Sequence, residues 1–286
     1  MKPLIQKLPI NDNASFVAKT FRTPHFEVGW HQHIEYELIL FTEGSGMSFI
    51  GNYVGEFETG DLFFLGSNLP HTFQKSGVQI TSAVVVQFRD DFWGSHFLQI
   101  PESRPIKTLL QTSLNGLKIL GETKTVLTEH LQQLENAVGF KRVLLLSACL
   151  HILAENKEYL EVSTQEIKEL TPKDKQCIDR VFQFTIDSFK EPVSLDEVAA
   201  VACMSVPAFC RYFKKSTKKT YTQFLNEVRI GYACSLLQDT QKTVLEICYE
   251  SGYNSIAHFH RQFFKIKSYT PLQYRKYFTM ARHHYR

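Results

Sequence analysis

Ser194-Leu-Asp-Glu-Val-Ala-Ala-Val-Ala-Cys-Met-Ser-Val-Pro-Ala-Phe-Cys-Arg-Tyr-Phe-Lys-Lys215 decides how this chain is read, because its arrangement returns further on. Ser194 and Glu197 have the spacing of a capping box, in which each side chain satisfies the other residue's free backbone N–H. A short helix over 195–202 follows. Ser205 stands where it can cap a second helix over 206–215, so helix, short turn and helix succeed one another, and a second helix of this kind fits the major groove, about 12 Å wide. Thr243 and Glu246 repeat the capping box, and Ile247-Cys248 stand where Val198-Ala199 stood. Gly252-Tyr253 supplies the turn. Phe209, Arg211 and Phe213 then recur as Phe259, Arg261 and Phe263 at an offset of 50 residues. Two units of one kind so close together are a duplication.

Helical spacing divides the work within each unit. Phe209 and Phe213 are four residues apart, as are Phe259 and Phe263, so each pair shares a face and belongs to the core. Pro207, Ala208, Cys210 and Arg211 fall largely on other faces of the first reading helix, and Ile256, Ala257, His260 and Arg261 on those of the second. Arginine can donate two bonds to guanine, which makes Arg211 and Arg261 the candidate base readers; pairing with a phosphate or a nearby acid is the alternative. Lys214, Lys215, Lys218, Lys219 and Lys265 are candidates for phosphate contact. A helical period over 222–237 joins the units, and a single connector would hold the reading helices for successive groove faces about 34 Å apart. Charge agrees: residues 173–286 hold 18 Lys and Arg against 10 Asp and Glu, whereas residues 1–172 hold 14 against 19. A basic C-terminal part and an acidic remainder point the C-terminal part at a polyanion.

The stretch from Lys175 to Phe278 resembles the AraC/XylS-type DNA-binding domain. The resemblance is carried by Arg229-Ile230, Ala233, Leu236-Leu237, Gly252-Tyr253, Phe259 to Lys265 and Thr270-Pro-Leu-Gln-Tyr-Arg275. It implies a sequence-specific transcription regulator that binds double-stranded DNA as a homodimer, in contact through the barrel or the helices at 125–155, with RNA polymerase a candidate further partner. Two positions depart from the pattern. Ala202 stands where a small residue, often glycine, is usual in the first turn, and Lys218 where glycine usually follows the reading helix. A left-handed cap at a lysine costs about 1 kcal/mol.

Residues 15–100 read as strands: short runs of Phe, Val, Ile, Tyr and Leu between Gly, Asn, Asp and Pro, the pattern of a sandwich or small barrel. Runs at 37–42, 47–50, 53–58, 62–65 and 81–88 carry it, with Gly51-Asn52 as a tight hairpin turn. In Trp30-His-Gln-His-Ile-Glu-Tyr-Glu37, residues His31, His33 and Glu37 occupy odd positions of one strand and so point to one side. His71 can complete a group of four. These spacings resemble both cupin motifs, and in metal-binding cupins the matching positions are ligands. Three readings stay open: a divalent metal held by His31, His33, Glu37 and His71; a metal-free pocket in which they bind a polar effector such as a sugar; and an internal polar network. Phe41, Phe49, Phe63 and Phe64 read as barrel core. His25, His96 and His130 follow no pattern.

From 104 the period becomes helical, with helices near 125–138 and 141–155. The second is apolar around much of its circumference, as a helix touching a partner chain or buried between domains would be. The expected fold is therefore α+β and multidomain. A cupin-like, effector-sensing barrel (1–103) is followed by a helical segment that is a candidate for dimerisation (104–160) and a linker (161–171). An all-α domain with two helix-turn-helix units closes the chain (172–286). With 43% hydrophobic and 21% charged residues and no apolar run near 20 residues, the chain excludes a membrane helix. No secretory h-region precedes residue 15, so a cytoplasmic protein is expected, its six separated cysteines reduced. No catalytic residues are expected. A metal-dependent cupin enzyme (dioxygenase or isomerase) would account for the histidines but leaves the duplication idle. A nonspecific DNA-packaging protein would account for the charge but not for the barrel.

Overall fold

A computed structural model describes residues 4–5, 14–22, 29–75, 80–163 and 172–284. Its first half is built on two sheets. One contains β1 (Leu4–Ile5), β3 (His31–Gln32), β8 (His71–Lys75), β5 (Ser45–Ile50) and β6 (Tyr53–Glu58), in that spatial order. The other begins with β2 (Val17–Arg22), β9 (Ser82–Phe88), β4 (Tyr36–Glu43) and β7 (Leu62–Leu65). It is extended by β10 (Leu117–Ile119) and β11 (Tyr159–Glu161).

The alternation of side chains sorts the apolar residues of the second sheet into two cores. Ile39, Phe41, Phe63, Leu65, Ala83 and Val85 fill the space between the sheets with Phe57 and Phe73. Leu38, Leu40, Leu62, Phe64, Val84, Val86 and Phe88 turn the other way. There they meet α1 (Arg104–Thr112), α2 (Gly121–Asn136) and α3 (Phe140–Asn156). A sheet covered on both faces needs unbroken apolar runs, which is why these strands lack polar alternation.

The segment 104–160, expected to be helical, thus also gives β10 and β11 to the barrel sheet, with Leu117 pairing with both Phe64 and Glu161. Strands of three residues are too short to show a period. The expected linker begins on β11, and its residues 164–171 lie outside the described residues, as does His25. The buried side of α3 (Leu146, Cys149, Leu150, Leu153) belongs to a cluster with no member from residues 172–284, so this helix is not buried between domains. Its other side leaves Phe140 and Leu144 71% and 57% exposed.

Among the described residues, seven helices make the C-terminal half. They are α4 (Pro172–Ser188), α5 (Leu195–Val201), α6 (Val206–Thr217), α7 (Tyr221–Asp239), α8 (Val244–Glu250), α9 (Ile256–Lys267) and α10 (Pro271–His284). Both capping boxes form, at Ser194/Glu197 and Thr243/Glu246, and a third, Thr220/Gln223, starts the connector α7. Phe209 and Phe213 pack with Phe182 and Phe224, while Phe259 and Phe263 pack with Cys234, Ile247 and Tyr274. The two halves meet where the outer face of the five-stranded sheet lies on α4 and α7: Trp30, Met47 and Phe49 share a cluster with Ile178, Phe182 and Val228. Phe64, turned toward α1–α3, is therefore not barrel core as expected, and neither is Phe49. On β5 it alternates to the outward face, and a domain covers it there.

Candidate functional site

The duplicated units present their reading helices as helical spacing predicts. Phe209, Phe213, Phe259 and Phe263 are fully buried. Pro207, Cys210, Arg211, Lys214, Lys215, Ile256, Ala257, His260, Arg261 and Lys265 are all exposed, and Ala208 is half-buried. No carboxylate engages Arg211 or Arg261 among the described residues, so both guanidinium groups stay available to a nucleic acid. Both helices end in a left-handed cap, Lys218 at φ 60° and Ser268 at φ 60°.

Three details differ from expectation. Ser205 stands at the N-cap of α6 without a capping hydrogen bond, whereas Ser255 accepts one from the His258 N–H. The turn residue with positive φ in the first unit is Cys203 (56°), the counterpart of Gly252 (81°), while Ala202 keeps helical angles and is buried. Lys219 does not face DNA. Its Nζ lies 2.6 Å from Glu227 and donates to the Asn52 carbonyl at 2.9 Å, because the barrel hairpin reaches the end of α6.

The histidine group assembles inside the barrel, though not from one strand. His31 lies on β3 of the first sheet and Glu37 on β4 of the second; the chain bends between them, where His33 Nδ1 meets the Glu35 carbonyl at 3.0 Å. His71 is the direct cross-strand partner of His31. All four residues are at most 5% exposed. Each histidine holds its Nδ1 against a backbone carbonyl: His31 to Gly29 at 2.9 Å, His33 to Glu35 at 3.0 Å and His71 to Leu69 at 2.8 Å. A carbonyl only accepts, so each Nδ1 carries the proton and each Nε2 is turned toward the others.

Electrostatics separates their roles. Burial drives the His71 pKa down to about 3, helped by His31, and burial likewise lowers His31, so both stay neutral with an Nε2 lone pair inside. Burial also acts against a charge on His33, but its bond to Glu37 at 3.0 Å and the Glu37 charge outweigh it and raise the pKa. For Glu37 burial works upward and is overcome by His33, His71 and Gln87, leaving the carboxyl at about 2. The result is a hydrogen-bonded His33–Glu37 pair facing two neutral acceptors. His71 Nε2 is buried without a hydrogen-bond partner, the kind of orphaned group that calls for a guest.

One ligand atom each from His31, His33 and His71 lie within 4.8 Å of one another. Imidazoles locked by Nδ1–H bonds and converging through Nε2 are the donor set and outer support of a divalent metal, so the residues fit one. Gln87 was missed by sequence reading. Its amide donates to Glu37 at 2.6 Å from β9, where the two residues are register partners. The signal was a lone polar residue in an apolar run.

The chain matches two family descriptions: an AraC-like ligand binding domain over residues 13–131 and a helix-turn-helix domain over residues 198–277. Among curated proteins it is similar to an uncharacterized HTH-type transcriptional regulator, YdeC, of Bacillus subtilis, 25% identical with 86% of this chain and 85% of the relative covered. It is also similar to the HTH-type transcriptional activator RhaR of Mannheimia succiniciproducens, 23% identical with 87% of each covered. A third relative, the melibiose operon regulatory protein of Escherichia coli, is 25% identical over 99 residues, 35% of this chain and 33% of that protein.

Proposed function

The chain belongs to the AraC/XylS-type transcription regulators, and from that premise we propose that a small polar effector in the barrel, bound at His31, His33, Glu37 and His71, controls how the two reading helices bind DNA. It is a regulator and not an enzyme: its relatives are regulators. Double-stranded DNA is its partner. Within that reading, Arg211 and Arg261 read bases, the exposed Pro207, Cys210, Ile256, Ala257 and His260, with Ala208, line the groove, and Lys214, Lys215 and Lys265 hold phosphates.

The observation that carries the effector reading is the inward lone pair of the neutral His71, buried and unanswered beside the hydrogen-bonded His33–Glu37 pair. Hydroxyl groups donate and accept from one atom, so they satisfy His31 and His71 as donors and Glu37's neighbours as acceptors. A carbohydrate has that chemistry, and a relative named for a melibiose operon supports the same class. A second reading is favoured by the convergence of three imidazoles: a divalent ion held by His31, His33 and His71, with Glu37 beside His33. It would supply a fixed positive charge and coordination sites for a ligand's oxygens.

Further partners belong to the same proposal. The uncovered side of α3, with Phe140 and Leu144, fits a second copy of this chain, giving a homodimer in the cytoplasm, with RNA polymerase a candidate further partner. Among the described residues no helix is long and apolar enough to cross a membrane.

The test measures affinity of the full chain for its own upstream DNA against scrambled DNA at fixed salt, while candidate sugars and divalent ions are titrated. The wild-type affinity ratio should shift with one of them, and the His33→Ala/His71→Ala double variant should bind DNA at the basal level without responding. A double variant that still responds normally removes the pocket from the mechanism. Elemental analysis of protein purified without chelator separates the two occupants, since a bound ion should be lost in the double variant.

A further inference from the structure

The two reading helices end at equivalent positions, and one barrel hairpin reaches both ends. Thr217 closes α6 and Lys267 closes α9, at the same 50-residue offset as the paired phenylalanines. Asn52 sits in the turn between β5 and β6, 1% exposed, and its Nδ2 donates to the Thr217 carbonyl at 2.7 Å. Lys219 returns a bond from Nζ to the Asn52 carbonyl at 2.9 Å. On β6, Glu56 faces the second unit: its Oε1 is 2.9 Å from Lys267 Nζ, and its Oε2 accepts the Tyr274 hydroxyl.

Between these ties the hairpin lies hard against the connector. Met47 pairs directly with Glu56 and Phe49 with Val54, so the four side chains share the face turned to α7. A Cβ at Gly231 of α7 would stand 2.3 Å from the Met47 methyl, which shows how closely helix and sheet approach. The DNA-facing side chains are left uncovered, so the contact acts on placement and not by blocking. The histidine pocket shares the sheet: His71 is the register partner of Ile50, two residues before Asn52.

We propose that the β5–β6 hairpin is an intramolecular clamp that sets the relative placement of the two reading helices, giving the barrel control over the spacing at which they meet DNA. The proposal rests on the reading of α6 and α9 as a DNA-reading pair. It predicts sensitivity to the distance between the two halves of the binding site, a property that phosphate contacts alone do not confer.

The experiment uses the full-length chain and a site selected by the wild-type protein from random duplexes, remade with one base pair inserted or removed between its halves. Wild type should lose about ten-fold or more in affinity on respacing. Glu56→Lys and Lys267→Glu should each lose less than about three-fold, and the double variant, with the ion pair reversed, should regain the wild-type penalty. Each protein is compared with itself on two spacings, so any uniform change in phosphate attraction cancels. Asn52→Ala tests the first tie in the same way, with thermal melting to confirm folding. A wild-type chain indifferent to spacing, or an equal penalty in all variants, overturns the clamp alone. A wild-type chain that selects no site overturns the reading of the helices as well.

Discussion

The two helix-turn-helix units use one plan with different tolerance at one residue. Each has a capping box, a buried phenylalanine pair and a left-handed end, yet the positive-φ turn position is Cys203 in the first and Gly252 in the second. The neighbours explain the difference. A Cβ on Gly252 would stand 2.4 Å from the Phe189 carbonyl and 3.0 Å from that of Lys190. The backbone carrying them is held there because Arg229 donates to the Phe189 carbonyl at 2.8 Å and to the Glu191 carbonyl at 2.9 Å while lying over the Tyr253 ring. Cys203 is exposed, so its side chain has room and the first unit bears only the intrinsic cost of the conformation. A repeat dictates the backbone path, and packing decides which side chains that path admits.

The largest effect should come from the shared core. Phe213→Ala and Phe263→Ala should each cost about 3–5 kcal/mol of stability. Only Phe213→Ala should also lower the melting of the barrel, because its cluster includes Trp30 and Met47 while that of Phe263 has no barrel residue. Calorimetry resolving the two halves would break the comparison if both variants behaved alike. Next comes the turn: Gly252→Ala should destabilise by more than about 2 kcal/mol, combining the left-handed penalty with the carbonyl clash. Denaturant unfolding reads this directly.

Arg211→Ala and Arg261→Ala should each cost about 1–3 kcal/mol on the specific site and relax preference at one base position. Binding to a panel of single-base variants decides it; an equal loss on every sequence would assign that arginine to phosphate. The smallest effect has the opposite sign. Cys203→Gly should stabilise by about 1 kcal/mol, since glycine takes positive φ without a Cβ penalty, offset in part by its greater freedom when unfolded. A melting temperature that falls would show that Cys203 makes a contact worth more than its strain.

Much of this was legible along the chain because it is local. A capping box needs two residues three apart, and a buried aromatic pair needs two residues four apart, so both units could be placed from spacing alone. The histidines were legible as residue types, but their setting was not. The bend at Glu35 that moves His31 and Glu37 onto different sheets leaves no periodic trace, and Gln87 joins them only through a register set by the whole sheet. Lys219 looked like a phosphate contact because its sequence neighbours are basic, and it turned inward because Asn52, 167 residues away, offers it a carbonyl.

By itself, then, the order of residues determined the duplication, the cores of both units and the arginines that face outward. Each of these follows from short-range geometry that every helix or strand obeys. Tertiary structure alone decided what lies on the outer face of the first sheet, which histidines burial keeps neutral, and that one hairpin touches both reading helices. These depend on burial and on distances between segments far apart in the chain, and charge and hydrogen bonding take their strength from what surrounds them.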